Sequence, residues 1–292
     1  MSYRKQPEAL ARIISLIASA TEIVHSLGAI DQLVGRSHEC DYPESVKQLP
    51  VCTRPRVPVD ASSLEIDRAV RESLRTSVSI YDVFDNVIAR LQPTHILTQI
   101  QCDVCAVSLR DVEEAIARGL PGNPEIVSLQ PNSLADIWDD FARVARAIGL
   151  EERGREVVAR LQSRLRTQSY ASRPKVACVE WIEPLMSAGC WTPELIDLAG
   201  GVNLPFRTWD DLQHADVVII APCGFDLART ESELHWHDWS ALPGRVYLAD
   251  GNSYFNRPGP RVVETFEILE EILHPQIPPR HCGRAWRCYH GL

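Results

Sequence analysis

Short apolar runs alternate along the chain with amphipathic stretches, which predicts strands and helices in turn. The run "RIISLIAS" reads as a buried strand, and "SATE" from Ser19 to Glu22 predicts a capping box that opens a helix ending at Gly28. Further strands are predicted in "QLVGRS", "PTHILTQ" and "PEIVSL", and further helices in "YDVFDNVIARL" and "SLRDVEEAIARGL". This order of elements is typical of a mostly parallel sheet that is covered on both faces.

The pattern becomes continuously helical from Ser133 to about Thr167, broken only near Gly149, and strands and helices then resume from "KVACVE" to "RVYLAD". We therefore predict an α/β fold with two Rossmann-like lobes, each with a mostly parallel sheet, joined by a rigid helical spine. The predicted boundaries are residues 1–130 for the first lobe, 131–170 for the connecting helices and 171–274 for the second lobe. Residues 275–292 contain three prolines without periodicity and predict an extended tail.

Composition and charge narrow the class of partner. The chain has 292 residues, 45% of them hydrophobic, and a formal net charge of -9, which disfavours nucleic acid and anionic membranes because phosphate binding needs a basic field. No apolar run approaches the roughly 20 residues of a membrane span, and the N-terminal pattern does not read as a signal peptide. These observations predict a soluble, cytoplasmic protein that binds a small molecule, and nine cysteines that form no disulfide framework.

Polar and aromatic side chains collect where the predicted strands end. In open α/β sheets, ligands bind outside the carboxyl ends of the strands, where the loops converge. Aromatic rings there would give flat apolar walls for a large ring-shaped ligand, and cations such as Arg54 could meet acidic ligand groups. The predicted ligand-binding residues are His38, Glu39, Tyr42, Arg54, Gln99, Trp181, Trp191, Phe225, Tyr254, Phe255, Asn256 and Arg257.

Four thiols also follow strand ends, at Cys40, Cys102, Cys105 and Cys223, with His38 as a further nitrogen ligand. Thiolate and imidazole suit zinc or an iron-sulfur cluster. Free cysteines are equally small hydrophobes that pack inside proteins, and the single C-x-x-C does not have the paired spacing of a metal motif. A Cys40 nucleophile with His38 as its base is a further alternative, although no oxyanion hole is evident.

Several stretches resemble a known family: "RIISLIASATEIVHSLGAIDQLVGRSHECDYP", "LQPTHILTQ", "AGCWTPELIDLAGGVNLP", "ADVVIIAPCGFD" and "NRPGPRVVETFEIL". They look like the substrate-binding proteins of ABC importers for vitamin B12 and iron chelates, the class with two α/β lobes joined by a helix, and the likeness covers residues 12 to about 274. It implies a ligand between the lobes, lined by the loop from His38 to Tyr42, the Trp181 loop and the segment Tyr254 to Arg257. Acidic surface residues dock the permease in exported members, and Glu65 is a candidate on the first lobe. Without a recognisable export signal, the chain looks like a cytoplasmic subgroup labelled cobalamin-binding.

The leading hypothesis is a binding protein, rather than an enzyme, that holds a corrinoid such as cobalamin, or another tetrapyrrole or iron-chelate ligand, in the interlobe cleft. The motif D-x-H-x-x-G, which supplies a histidine to cobalt in corrinoid enzymes, is absent, and this favours binding of the whole ligand over cobalt-based catalysis. An ABC permease is a partner only if the protein is exported. The alternative is a cytoplasmic metal or iron-sulfur protein, an enzyme or a sensor, that uses the cysteines of the cleft.

Overall fold

The fold is described from a computed structural model, which places residues 10–76, 79–100, 123–166 and 169–289. The chain divides into two compact units, each assembled from separate stretches of sequence. Unit 1 takes its described residues from Met1–Arg56, Val78–Gln130 and Asp140–Arg155, and unit 2 takes them from Val57–Ser77, Pro131–Asp139 and Glu156–Leu292. The lobe boundaries at residues 130, 170 and 274 remain predictions.

Unit 1 contains a four-stranded parallel sheet and a separate pair of antiparallel strands. Its strands are β1 (Ile13–Ser15), β2 (Leu33–Arg36), β3 (Thr53–Pro55), β4 (Tyr81–Val83), β5 (His95–Gln99) and β6 (Glu125–Leu129). The sheet has the order β2-β1-β5-β6, and β3 pairs with β4 outside it. All pairs in the sheet are parallel, so the carboxyl ends of its strands lie at one edge.

The apolar runs that predicted these strands lie in the core of unit 1. Ile13 and Ile14 have no exposed surface, as expected for a strand that is covered on both faces. Glycine at position 35 is explained by close packing, because a Cβ there would lie 2.8 Å from Leu91 and 2.9 Å from the sulfur of Cys52. The parallel-sheet prediction is therefore confirmed in unit 1.

The described α-helices are α1 (Ala18–Ser26), α2 (Ser63–Arg75), α3 (Asp85–Leu91), α4 (Leu134–Ala147), α5 (Glu151–Gln162), α6 (Thr192–Leu198), α7 (Leu227–Ser232) and α8 (Val262–Leu273). The predicted break between two long helices is confirmed at Gly149, which has a left-handed φ of 71°. The helix predicted in "SLRDVEEAIARGL" lies outside the described residues.

The predicted capping box at Ser19 is wrong. Helix α1 already begins at Ala18 after an N-cap at Ile17 that makes no side-chain cap, so Ser19 and Glu22 lie inside the helix and are buried. The N-cap position itself is occupied by an isoleucine, whose side chain has no acceptor for the first helical N–H groups. A capping box is formed instead at the start of α2, between Ser62 and Glu65.

Unit 2 contains a second, mixed sheet. Its strands are β7 (Lys175–Trp181), β8 (Met186–Ser187), β9 (Val202–Asn203), β10 (Val217–Ile220), β11 (Arg245–Ala249) and β12 (Trp286–Cys288). The order is β12-β11-β10-β7-β8, with β9 beside β7. Strands β7, β10 and β11 are mutually parallel, so they also end at a common edge.

The described part of the C-terminal tail adds to this sheet. Strand β12 pairs antiparallel with β11, and Trp286 is only 6% exposed. The sequence predicted extended chain here, and the strand is short enough that its sequence has no periodic signal. Among the described helices, none combines the length and the apolar character that crossing a membrane requires.

Candidate functional site

The loop that follows β2, residues 37–42, contains four of the predicted site residues. The guanidinium of Arg36 holds its shape by donating to the carbonyl oxygens of Ser37 at 2.9 Å and Cys40 at 3.2 Å. Tyr42 is 42% exposed at the end of the loop. The loop therefore has a fixed backbone at the carboxyl edge of the unit 1 sheet, the edge where ligands bind in such sheets.

His38 is the most constrained side chain of this loop. Its Nδ1 lies 2.9 Å from Oγ1 of Thr53, its ring lies 5.5 Å from the ring of Tyr81, and its Nε2 is 3.9 Å from Oε1 of Glu39. Burial, and then the positive charge of Arg36, lower the pKa of His38 to about 4. The imidazole is therefore neutral near pH 7 and can exchange a hydrogen bond with a ligand without adding charge.

The antiparallel pair β3-β4 and the residue that follows β3 form a cluster with a net positive charge. Asp82 accepts hydrogen bonds from Nε of Arg54 at 2.7 Å and from Nε of Arg56 at 2.5 Å, and these bonds lower the pKa of its carboxyl group. The guanidinium of Arg54 also lies 5.8 Å from the centre of the Phe84 ring. Because two cations share one carboxylate, Arg54 retains donors that can meet an acidic ligand group.

Gln99 ends strand β5 at the same edge of the unit 1 sheet. Its side chain is only 2% exposed, and its amide nitrogen has no hydrogen-bond partner among the residues that the structure describes. A buried amide donor without a partner costs free energy, about 1 to 3 kcal/mol. A ligand acceptor at this edge would satisfy it.

The thiols that suggested a metal site do not form one in the described chain. Cys40 is fully buried, and its sulfur accepts from the hydroxyl of Thr21 at 3.0 Å, while burial raises the pKa of the thiol. The backbone N–H of Cys223 donates to the carbonyl oxygen of Glu180 at 2.9 Å. Metals bind the thiolate, which the burial of Cys40 disfavours. Within residues 10–76, 79–100, 123–166 and 169–289, no three potential ligands are grouped for a metal ion, and Cys102 and Cys105 lie outside these ranges.

An aromatic pair lies at the carboxyl edge of the unit 2 sheet. Trp181 ends β7 and Phe225 follows β10, and their ring centres are 5.3 Å apart. Arg229 lies on helix α7, and its guanidinium is 4.9 Å from the centre of the Phe225 ring. Trp181 is half-buried, so part of its surface is open to a ligand, whereas Phe225 is 4% exposed and supports it.

The other predicted aromatic residues are packed inside unit 2. Trp191 is 8% exposed, Tyr254 7% and Phe255 1%, so these rings belong mainly to the core. Tyr254 and Phe255 lie in a wide helical turn after β11, and the guanidinium of Arg261 lies 5.3 Å from the Tyr254 ring centre. These rings stabilise the loops at the edge and leave little ring surface exposed to a ligand.

Asn256 and Arg257 stabilise the same turn through hydrogen bonds. The amide nitrogen of Asn256 donates to the carbonyl oxygens of Ala221 at 2.9 Å and Gly251 at 3.2 Å, which joins the ends of β10 and β11. Arg257 is 4% exposed and donates to the side-chain oxygen of Asn252 at 3.0 Å. Their observed contacts position the loops around the edge.

Sequence reasoning missed two carboxyl groups at this edge, Glu180 and Asp250. Glu180 accepts from the backbone N–H of Gly189 at 3.2 Å, and Asp250 accepts from that of Ser253 at 2.7 Å. Burial is the main influence on both groups and raises the pKa of each. Their position was a usable signal, because each is an acid at the end of an otherwise apolar run, "KVACVE" and "RVYLAD".

The described elements, two α/β units with parallel strands and a set of polar and aromatic loops at each carboxyl edge, define the fold of the periplasmic substrate-binding proteins. Solved structures with this fold include a periplasmic haem-binding protein from Pseudomonas aeruginosa, with a TM-score of 0.68 and 16% identity over 93% of this chain and 95% of that chain. They also include the periplasmic vitamin B12-binding protein BtuF of Vibrio cholerae, with a TM-score of 0.65 and 21% identity over 90% of this chain and 96% of that one.

Among curated proteins, the chain is similar to a vitamin B12-binding protein of Yersinia pestis (strain Pestoides F). The two are 24% identical over 267 residues, which cover 88% of this chain and 84% of the relative. No family model matches the sequence. The resemblance predicted from the sequence, to binding proteins for vitamin B12 and related chelates, is thus confirmed by both fold and sequence comparison.

These comparisons contradict the predicted cytoplasmic location. The solved proteins with this fold include periplasmic binding proteins for haem and for vitamin B12. The expectation rested on the absence of a recognisable signal in the N-terminal pattern, which is a weaker criterion than a match that spans almost the whole chain. The metal or iron-sulfur alternative is likewise not favoured.

Proposed function

We propose that the protein binds a tetrapyrrole-sized ligand, and specifically a corrinoid, through the loops at the carboxyl edges of its sheets. One observation carries the proposal: β7 ends in the half-buried ring of Trp181, and the carboxyl groups of Glu180 and Asp250 lie at the ends of β7 and β11 on the same carboxyl edge. A sheet edge that has both a flat apolar ring and hydrogen-bonding groups suits a large macrocycle with polar substituents. The similarity to vitamin B12-binding and haem-binding proteins supports the same class of ligand.

The carboxyl groups favour a corrinoid over haem. The periphery of a corrinoid bears amides, whose N–H groups donate to carboxyl oxygens such as those of Glu180 and Asp250. Haem bears two propionates, which would meet like charge at these positions.

A titration of the purified protein with cobinamide, hydroxocobalamin and haemin, followed by absorption, tests the proposal. We expect saturable binding of the corrinoids and weaker binding of haemin. Glu180→Gln should weaken cobinamide binding about tenfold, because it removes a charged acceptor from the ligand amides. The same substitution should leave haemin binding unchanged or strengthen it.

Glu125→Gln is the matched control for this titration. Glu125 begins strand β6, at the end opposite the carboxyl edge, and its side chain is 61% exposed. Its substitution should not change the affinity for cobinamide. Saturable haemin binding without cobinamide binding would contradict the choice of corrinoid, and binding of neither would contradict the proposed function.

We further propose that the bound ligand is delivered to an ABC permease from outside the cytoplasm. The periplasmic proteins with this fold support the location. Glu65, the residue that the sequence suggested for permease docking, accepts from the backbone N–H of Ser62 at 3.0 Å and is part of the capping box of α2. This carboxylate therefore caps the helix, and its exposed position leaves it a candidate for docking.

A further inference from the structure

A segment from the N-terminal half of the sequence packs as part of unit 2. We call residues 57–76 the strap. It lies between β3 and β4, both of which belong to unit 1, and consists of a short loop and helix α2. Its contacts nevertheless assign it to unit 2. A hairpin of two three-residue strands would need only a few connecting residues, so the length of the strap points to a separate role.

The strap is anchored by one buried carboxylate, Glu233. Its Oε2 accepts from the backbone N–H of Ser63 at 3.0 Å and from the indole N–H of Trp236 at 3.0 Å, and its Oε1 lies 3.2 Å from Nη2 of Arg229. Glu233 is 4% exposed. Burial alone would raise the pKa of Glu233, but the hydrogen bonds from Ser63 and Trp236 outweigh it and the pKa is lowered. An anion at the first turn of α2 is also favoured by the helix dipole.

Two further contacts join the strap to the aromatic pair at the carboxyl edge. The indole N–H of Trp181 donates to the carbonyl oxygen of Ser63 at 3.2 Å, and Arg229, whose guanidinium covers Phe225, donates to the carbonyl oxygen of Ala61. The start of α2 therefore packs on Trp181 and Phe225, which the sequence predicts to bind ligand, through Ser63 and Ala61.

The rest of the helix is held less firmly than its first turn. Ser63 is the one buried residue of α2, and Leu74 near its C-terminal end is 47% exposed. Ile66, Val70 and Leu74 are spaced four residues apart and form an apolar stripe along one face. A helix that is fixed at one end and carries a partly open apolar stripe is suited to rest against the apolar face of a macrocycle.

We propose that the strap covers a ligand bound at the Trp181–Phe225 edge, and that Glu233 is the latch that holds it there. The inference rests on the proposed function for the identity of the ligand. The latch itself depends only on contacts within unit 2. Opening of the strap then requires loss of the Ser63–Glu233 hydrogen bond, and ligand exchange is limited by that opening.

Two variants weaken the latch in different ways. Glu233→Gln keeps the size of the side chain but removes its charge. Ser63→Pro removes the donated N–H at the first helical position, where proline is well tolerated, and Ser62 has the extended ψ of 156° that a following proline requires. Glu231→Gln is the matched control, because Glu231 lies two residues away, is half exposed and pairs with Arg287 instead.

Amide hydrogen exchange of residues 64–66 and the dissociation rate of cobinamide are measured in the full-length protein and in the three variants, with circular dichroism to verify folding. We expect both rates to rise about tenfold in Glu233→Gln and Ser63→Pro, the effect of losing one charge-assisted hydrogen bond, and to be unchanged in Glu231→Gln.

Unchanged hydrogen exchange in both latch variants would overturn the latch. Faster exchange with an unchanged dissociation rate would overturn the claim that the strap covers the ligand. If the unaltered protein binds neither corrinoid nor haemin, the proposed function and the covering role fail together, while the hydrogen-exchange comparison still decides whether Glu233 holds the strap.

Discussion

At the scale of single residues, His38 links the candidate site to the stability of unit 1. Its lowered pKa of about 4 means that the unfolded chain, with an ordinary histidine pKa near 6.5, takes up a proton at a higher pH than the folded protein does. The contribution of the neutral imidazole to the free energy of unfolding is therefore fully present above pH 6.5 and is lost as the pH falls towards 4. Because its side chain is 22% exposed and partly screened, we expect a loss of about 2 kcal/mol rather than the full value of the shift.

Chemical denaturation at pH 7.0, 5.5 and 4.0 tests this expectation. The unaltered protein should lose about 2 kcal/mol more of its free energy of unfolding over this range than His38→Asn, in which the titrating group is absent. Parallel pH profiles for the two proteins would show that the environment of His38 does not shift its protonation.

The sequence predicts which residues follow the strands, but it does not predict which other side chains they contact. His38 and Trp181 were identified because each follows an apolar strand, and both lie at a carboxyl edge. The behaviour of Cys40 depends on Thr21, nineteen residues earlier, whose hydroxyl donates to its sulfur. Such a contact between distant positions has no periodic signature, so thiols that pack in the core and thiols that bind a metal look alike in the sequence.

At the scale of elements, strand β12 completes the unit 2 sheet. Trp286 packs edge to face on Tyr247 at 5.6 Å, and its indole N–H donates to Oε2 of Glu271 at 2.7 Å. Glu271 also accepts from the backbone N–H of Arg280 and of His281, so this one buried carboxylate holds the segment that leads to β12. The strand covers the edge of β11 that would otherwise have unpaired backbone groups.

Trp286→Ala should lower the free energy of unfolding by about 3 to 5 kcal/mol, because it removes a buried ring and one donor to Glu271. Cys288→Ala, an exposed position on the same strand, should change it by less than about 0.5 kcal/mol. Urea denaturation of both variants provides the comparison. Equal stabilities would mean that the C-terminal strand does not contribute to the fold.

The predictability of elements follows their length. Helices α4 and α5 have 14 and 12 residues, long enough for their apolar period and for the break at Gly149 to stand out in the sequence. Strand β12 has three residues, and only its partner β11 makes it a strand. The start of α1 was misplaced for a related reason, because Ser19 and Glu22 have the spacing of a cap although the helix begins before them.

At the scale of the whole molecule, the order of elements in the sequence does not determine which unit they join. The strap follows a unit 1 strand yet packs with unit 2, and residues 140–155 of the helical stretch pack with unit 1. Pattern reasoning assigns neighbours in sequence to the same lobe, so it predicted a boundary near residue 130. The fold class depends only on the alternation of strands and helices and was predicted correctly.

The role of residues 140–155 leads to a test of that boundary with two fragments. Phe141, Val144 and Ala145 have no exposed surface, and the backbone N–H of Gln130 donates to the carboxylate of Asp140. A fragment of residues 1–130 lacks all of these contacts and should show no cooperative unfolding by circular dichroism, because loss of one large core side chain alone costs several kcal/mol. A fragment of residues 1–155 restores them and should unfold cooperatively. A cooperative transition in the shorter fragment would instead support the boundary at residue 130 and would make the helical stretch dispensable for unit 1.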